Sequence, residues 1–207
     1  MTVYAIAQLK GGAGRSTIAT NLAVGLEDAA LVDADPPQYS AAAWAAIRES
    51  DSPRVIAAAT HRELVQAVGL LAERHKHVVI DCPPRAAEIT RAALALADVA
   101  LVPVSPGVGD LWAVQDLVPT IEAARAGNPG LIVRLVWNRL RPFVRAEVEL
   151  QDQARRDLRI RPLPVALGYR AAYAQAFIKG LSVLEGDNAK ARDEMQALLI
   201  AAGRLKT

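Results

Sequence analysis

Cysteine is almost missing from this chain: Cys82 is the only one in 207 residues. A lone thiol excludes a disulfide framework and suits a reducing compartment. Aromatic residues make up only 4% of the chain, so alanine and the branched aliphatics must do the packing, as in proteins that layer helices on a sheet. Histidine is scarce too, and His61, His75 and His77 have no metal-like grouping with Cys82 or with acids. No apolar run approaches the roughly 20 residues that a membrane span requires. The chain opens directly on a strand-like run, which leaves no room for a signal peptide. Low-complexity segments and internal repeats are absent. A net charge of +2 does not by itself mark a nucleic-acid or membrane binder. The length suits one sizeable core, so a single domain over 1–207 is expected.

What is present is concentrated in residues 8–17, Gln-Leu-Lys-Gly-Gly-Ala-Gly-Arg-Ser-Thr. An apolar run, Val3 to Ala7, reads as a buried strand, and helix-compatible residues follow from Ser16 to Leu26. Between them Gly11, Gly12 and Gly14 allow the backbone to curl until several N–H groups point at one anion. The positive end of the following helix adds to that field. Ser16 offers a hydroxyl to Mg²⁺ and Thr17 one to phosphate. A plain glycine-rich turn is the alternative, but strand, loop and helix in this order are the context that a phosphate cradle requires.

The standard P-loop pattern fails here twice, at Leu9 and at Arg15. Residues 10–17 instead resemble, at every position except 15, the variant loop of the ParA/MinD family of partition and positioning ATPases (Lys-Gly-Gly-x-Gly-[Lys]-[Ser/Thr]-Thr). The resemblance implies a three-layer α/β P-loop fold, a mostly parallel sheet flanked by helices on both faces. It implies ATP and Mg²⁺ as ligands, with Gly11, Gly12, Ala13, Gly14, Arg15, Ser16 and Thr17 around the phosphates. It also implies that Lys10 reaches across a homodimer to the other subunit's nucleotide. Arg15 keeps the charge of the family's lysine but replaces a compact ammonium with a wide planar fork. Hydrolysis is more exposed to that change than binding, because it depends on charge placed at the transferring phosphoryl group.

Two further stretches carry the resemblance. Ala29 to Gln38 reads as a second strand ending in Asp33 and Asp35, like the family's Asp-x-Asp-Pro-Gln, with Pro37 as an extra residue. The resemblance implies that Asp35 orients the attacking water and that Asp33 lies near the Mg²⁺ shell. Alternation along the strand is expected to turn only one of them to the γ-phosphate. Val78 to Pro84 resembles a Walker B element with its switch segment, which makes Asp81 an indirect Mg²⁺ ligand. Cys82 beside it has no His–Asp pairing and reads as a small buried residue.

Further along, a helix from His61 to about His75 is expected, with Thr60 as its cap and Glu63 at the capping-box position. Asp110, Leu111 and Trp112 fit the family's acid and apolar helix after a Val-Pro-Val strand; packing against the sheet competes there with a partner surface at Trp112, Val114 and Leu117. Asn138 is expected to end a strand, and the resemblance gives its amide the adenine base. Arg139, Arg141, Arg145, Arg155, Arg156, Arg159 and Arg170 form a cluster that could hold DNA phosphates without reading sequence. A solvated helix with internal pairs such as Arg145–Glu149 is the alternative. Arg170, Ala176, Gly180 and Val183 match the family's C-terminal segment. The last helix is expected to pack on the core, its alanine-diluted stripe being too weak for a membrane surface.

Together these readings imply a cytoplasmic, nucleoid-associated, ATP-dependent dimerisation switch. It would partition plasmid or chromosomal DNA, or position a protein cargo, with weak ATP hydrolysis stimulated by a small centromere-binding or adaptor protein. No stable membrane association is expected. The alternatives are a nucleotide-binding scaffold without useful turnover, motivated by Arg15, and a MinD-like membrane-associated cycle.

Overall fold

The computed structural model describes residues 1–207 apart from Arg85, Pro142 and Thr207. Strands alternate with helices along the chain: β1 (Thr2–Ile6), α1 (Arg15–Gly25), β2 (Ala29–Asp33), α2 (Ser40–Ile47), β3 (Arg54–Ala57), α3 (His61–Ala72), β4 (His77–Asp81) and α4 (Ala87–Leu96). The second half continues with β5 (Val99–Val104), α5 (Val108–Gly127), β6 (Ile132–Leu140), α6 (Arg145–Asp157), β7 (Pro162–Gly168), α7 (Ala171–Ile178) and α8 (Ala189–Gly203), with a single 3-10 turn at Val183–Glu185 before α8. Among the described residues the strands form one sheet in the order β3-β2-β4-β1-β5-β6-β7, and every pairing is parallel.

The apolar runs explain this arrangement. A strand buried on both faces has no polar side, so β2 and β5 are buried at every position. Alternation then divides the side chains between two cores. Val3, Ala5, Ala30, Val32, Val78, Ile80, Ala100 and Val102 meet α3, α4, α5 and α6 on one face. Tyr4, Ile6, Leu31, Val79, Val99 and Leu101 meet α1, α2, α7 and α8 on the other. The last helix packs as expected, with Ala191, Met195, Leu198 and Ala202 buried in that second core.

Two expected boundaries move. The helix capped by Thr60 stops at Ala72; Thr60 accepts from the Glu63 amide, while the Glu63 carboxylate reaches one residue further back, to the Ala59 amide. Asn138 does not end its strand. β6 runs on to Leu140 with register shifts against β7, and Arg139 adopts φ 56° within it. That irregularity turns Asn138 back toward the loop at 8–17.

Candidate nucleotide-binding site

The loop between β1 and α1 lies at the carboxyl ends of the parallel strands, where such sheets place ligands. Gly14 ends it at φ 93°, ψ 23°, and a Cβ there would meet the Asn138 amide nitrogen at 2.3 Å. Only glycine satisfies both conditions. No side chain caps α1, and its first turn carries no acid, so its first amides remain open to an anion.

Arg15 is folded against its own loop while still lining the cleft there. Its side chain is 6% exposed, and one terminal nitrogen donates to the backbone carbonyls of Gln8 (2.8 Å) and Lys10 (2.7 Å). The other terminal nitrogen lies 3.5 Å from an Asp35 oxygen. Gln8 is itself buried, and its side chain donates to the Pro103 carbonyl, tying the loop to β5.

Three acids surround this point in different states. Asp81 is fully buried, and neither of its oxygens has a hydrogen bond of full geometry among the described residues. Burial pushes its carboxyl up to about 7, partly offset by the nearby Ser16 hydroxyl. An orphaned carboxylate beside a hydroxyl fits a hard cation such as Mg²⁺ held with water. Asp33 differs: its oxygens accept from the Ala42 amide (2.9 Å) and the Asp35 amide (3.1 Å). Asp33 stands beside Asp81 across the β2–β4 pairing, and its bonded oxygens brace the turn from β2 into α2. Asp35 keeps an oxygen for Arg15 and lines the same cleft as Gly12, Ser16 and Thr17. Burial raises its carboxyl and the guanidinium opposes that. The alternation expected to separate the two acids does not do so, since positions two apart in a strand share a face. They part because β2 ends at Asp33 and the chain turns away.

Beside the loop, a cleft of about 340 Å³ opens between Gly14, Thr17, Asn138, Gly168, Tyr169, Arg170 and Tyr173. The Asn138 amide nitrogen donates to the Ala13 carbonyl (2.8 Å), and its oxygen accepts from the Arg139 amide. In this state the residue braces the loop from the edge of the cleft. The arginine cluster likewise divides. Arg170 is bound to Glu194 (2.5 Å) in the wall of this cleft, and Arg139 lines both it and the cleft at the loop. Arg139 also shares a cleft with Arg141 and with Glu147 of α6. Arg141 holds the buried Glu147, while Arg145, Arg155 and Arg159 pair with Glu149, Asp152 and Glu122.

Lys10 stands at the outer rim, its side chain 45% exposed, and it pairs at 2.5 Å with Asp110 at the start of α5. Trp112, two residues further along α5, is largely exposed, while Val114 and Leu117 are buried in the core. Cys82 is buried beside Asp81, and burial pushes its thiol far above the ordinary range, which makes it inert. Several supporting residues carry no local sequence signal. Asn21 on α1 accepts from the Ser182 hydroxyl (2.7 Å) and the Val183 amide (2.8 Å), fastening the C-terminal segment to the loop's helix. Glu194 and Tyr173 fix the wall of the neighbouring cleft from α8 and α7.

A glycine loop ahead of an uncapped helix, with an unpartnered acid on the neighbouring strand, defines a phosphate-binding nucleotide fold. No protein-family model matches the chain. A protein from Halothiobacillus neapolitanus named "Maintenance of carboxysome distribution protein A" is 35% identical over 203 residues, covering 94% of this chain and 93% of that one. The chain belongs to the ParA/MinD family of ATPases. Its fold is shared with a Cyanothece McdA solved with ATP (TM-score 0.79, 16% identity, 98% and 96% covered). The septum site-determining protein MinD from Pyrococcus horikoshii, solved with Mg-ADP, is similar too (TM-score 0.80, 16% identity, 99% and 97% covered).

Proposed function

We propose that this chain is an ATP- and Mg²⁺-dependent dimerisation switch that positions a protein assembly over the nucleoid. The observation that carries this reading is the preformed cradle itself: Gly14 in its left-handed conformation, the open amides of α1 and the orphaned Asp81 beside Ser16. ATP supplies the charge that the cradle is shaped for, and Mg²⁺ supplies the counter-charge between its phosphates. Ser16 and Asp81 are the residues that would hold the cation. Asp35 has one oxygen facing the cleft and is the group that would orient water at the γ-phosphate. Lys10, at the rim, gains a phosphate contact only when a second copy arrives, so the nucleotide favours the dimer.

The carboxysome relative supports a protein assembly as cargo over the plasmid or chromosomal DNA that other family members partition. Nonspecific DNA is the surface on which the dimer would travel, and a small adaptor protein would trigger hydrolysis and release. A membrane-associated cycle is less favoured, because the apolar stripe of α8 is buried; among the described residues no helix is long and apolar enough to cross a membrane. A second reading, a nucleotide-binding scaffold with little turnover, is favoured by Arg15, whose guanidinium is engaged by the loop.

Steady-state ATP hydrolysis, measured alone, with DNA, and with DNA plus the cognate adaptor, tests these readings together with ATP binding by calorimetry. Binding with stimulated turnover is the expected result. Binding without turnover under any condition leaves the scaffold, and absence of ATP binding removes both.

A further inference from the structure

We propose that Arg139 is a nucleotide-binding residue, contacting the part of the ligand common to ADP and ATP from the side opposite the glycine loop. The inference rests on the reading of residues 10–17 as a phosphate cradle. Arg139 stands where β6 departs from regular pairing. Trp137 pairs with Ala166 and Leu140 with Gly168, so two residues of β6 face one of β7. Such a bulge leaves its extra residue out of the ladder and re-aims a side chain. Arg139 has φ 56°, a conformation that residues with a Cβ seldom adopt. Asp28 and Tyr39 also have positive φ, but they lie between elements, whereas Arg139 lies inside a strand. The bulge gives two neighbours different tasks: Asn138 is buried and braces the loop at Ala13, while Arg139 faces the clefts. The Asn138 side chain accepts from the Arg139 amide at 2.9 Å and so satisfies the bulge's backbone.

The Arg139 side chain is exposed and has no hydrogen bond or ion pair among the described residues. The other arginines around the site are engaged: Arg15 by loop carbonyls, Arg141 by Glu147 and Arg170 by Glu194. Arg139 is also, among the described residues, the one that lines all three clefts meeting at the loop. It faces Ser16 and Thr17 in the first, Gly14 and Tyr169 in the second, and Lys10 and Asp110 in the third. The first two clefts share Gly14 and Thr17. A ligand with its phosphates on the loop and its base in the neighbouring cleft must pass that junction. There the loop amides lie on one side of it and Arg139 on the other. A guanidinium suits the place, because its planar fork takes two phosphate oxygens at once and its charge offsets theirs. The junction receives the phosphate nearest the base, which ADP and ATP both carry. Arg139 thus acts in a single chain, whereas the task of Lys10 begins when a second copy arrives.

The test measures Mg-ADP affinity by calorimetry for the parent, Arg139→Asn and Arg139→Lys, with thermal midpoints of the nucleotide-free chains. Asparagine tolerates the left-handed backbone, so Arg139→Asn should melt no lower than its parent. ADP affinity should fall about tenfold in Arg139→Asn, and less in Arg139→Lys, which keeps the charge and loses the fork. Affinity for a non-hydrolysable ATP analogue should fall by the same factor. Arg139→Gly accepts the backbone outright and should lose as much ADP affinity, which keeps the test valid if asparagine disturbs the bulge. ADP binding in these variants equal to the parent's overturns the proposal. A fall in DNA affinity at saturating ATP would in that case assign Arg139 to a DNA surface. A loss confined to the ATP analogue overturns it too, because the contact then belongs to the third phosphate. A parent that binds no ADP refutes the cradle reading and this one with it, whereas unchanged binding in the variants refutes this one alone.

Discussion

Gly14 faces two demands at once, a left-handed backbone and the close approach of Asn138. Any side chain meets both. Gly14→Ala is expected to lose about 1–2 kcal/mol of stability in chemical denaturation, from positive φ and from displacement of the Asn138 amide off Ala13. Nucleotide binding, read by calorimetry, should fall with it. Asp35→Ala is expected to do the opposite: it removes a negative charge from the cleft without touching the loop carbonyls. Nucleotide should still bind, turnover should stop, and an ATP-bound dimer should persist in size-exclusion chromatography. If Asp35→Ala turns over ATP like its parent while Asp33→Ala does not, the roles of the two acids are reversed. At this scale the sequence was readable where the backbone dictates residue type and opaque where it does not. The glycines announced the loop because only they adopt its geometry. The orientation of Arg15, Asn138 and Asp33 was invisible, because each answers to a carbonyl or amide elsewhere in the chain.

Among the elements, α6 carries a row of arginines several of which already have acidic partners. Arg145 and Arg155 find acids one turn away, but Arg159 finds Glu122 on α5 and Arg141 caps the helix start through Glu147. The exposed pairs of Arg145, Arg155 and Arg159 are worth about 0–1 kcal/mol each, so DNA phosphates can still displace their acids. Replacing Arg155, Arg156 and Arg159 together with alanine should therefore leave ATP binding intact. If they contact DNA, the slope of log affinity against log salt should fall by about one unit per arginine, at equal ratios between DNA sequences. Undiminished affinity would move the DNA site away from α6. A second element carries a pH signature. Glu185, in the 3-10 turn, receives both terminal nitrogens of Arg48 on the C-terminal side of α2 and also the Ser182 amide. The Arg48 guanidinium holds its carboxyl below the ordinary value. The folded chain therefore binds fewer protons than the unfolded one in acid, and this contribution is present above the ordinary carboxylate range and lost as pH falls through the depressed value. Glu185→Gln should lower the thermal midpoint at pH 7, and the difference from the parent should shrink toward zero in acid. A difference independent of pH would show that Arg48 contributes packing and no charge pairing.

For the molecule as a whole, alternation of apolar strands with helices was enough to specify a parallel sheet with two covered faces, because strands buried on both sides tolerate no other surroundings. What alternation does not encode is which side chains meet at the strand ends, and the proposed dimer switch would depend on one such meeting. Lys10 is paired with Asp110 within its own chain. To reach a partner's nucleotide it must leave that acid, and a two-fold dimer requires the departure twice. With the lysine side chain 45% exposed, each pair is worth about 0.2–1 kcal/mol. Breaking both opposes dimerisation by about 0.4–2 kcal/mol, a factor of about 2 to 30 in the dimer dissociation constant. Asp110→Asn should lower that constant by a factor in this range with ATP, measured by analytical ultracentrifugation, and leave the ADP-bound chain monomeric. Lys10→Ala should bind ATP as the parent does and fail to dimerise at all. If Asp110→Asn weakens the ATP dimer instead, the acid belongs to the assembled interface and the pairing seen within one chain is not a restraint on assembly.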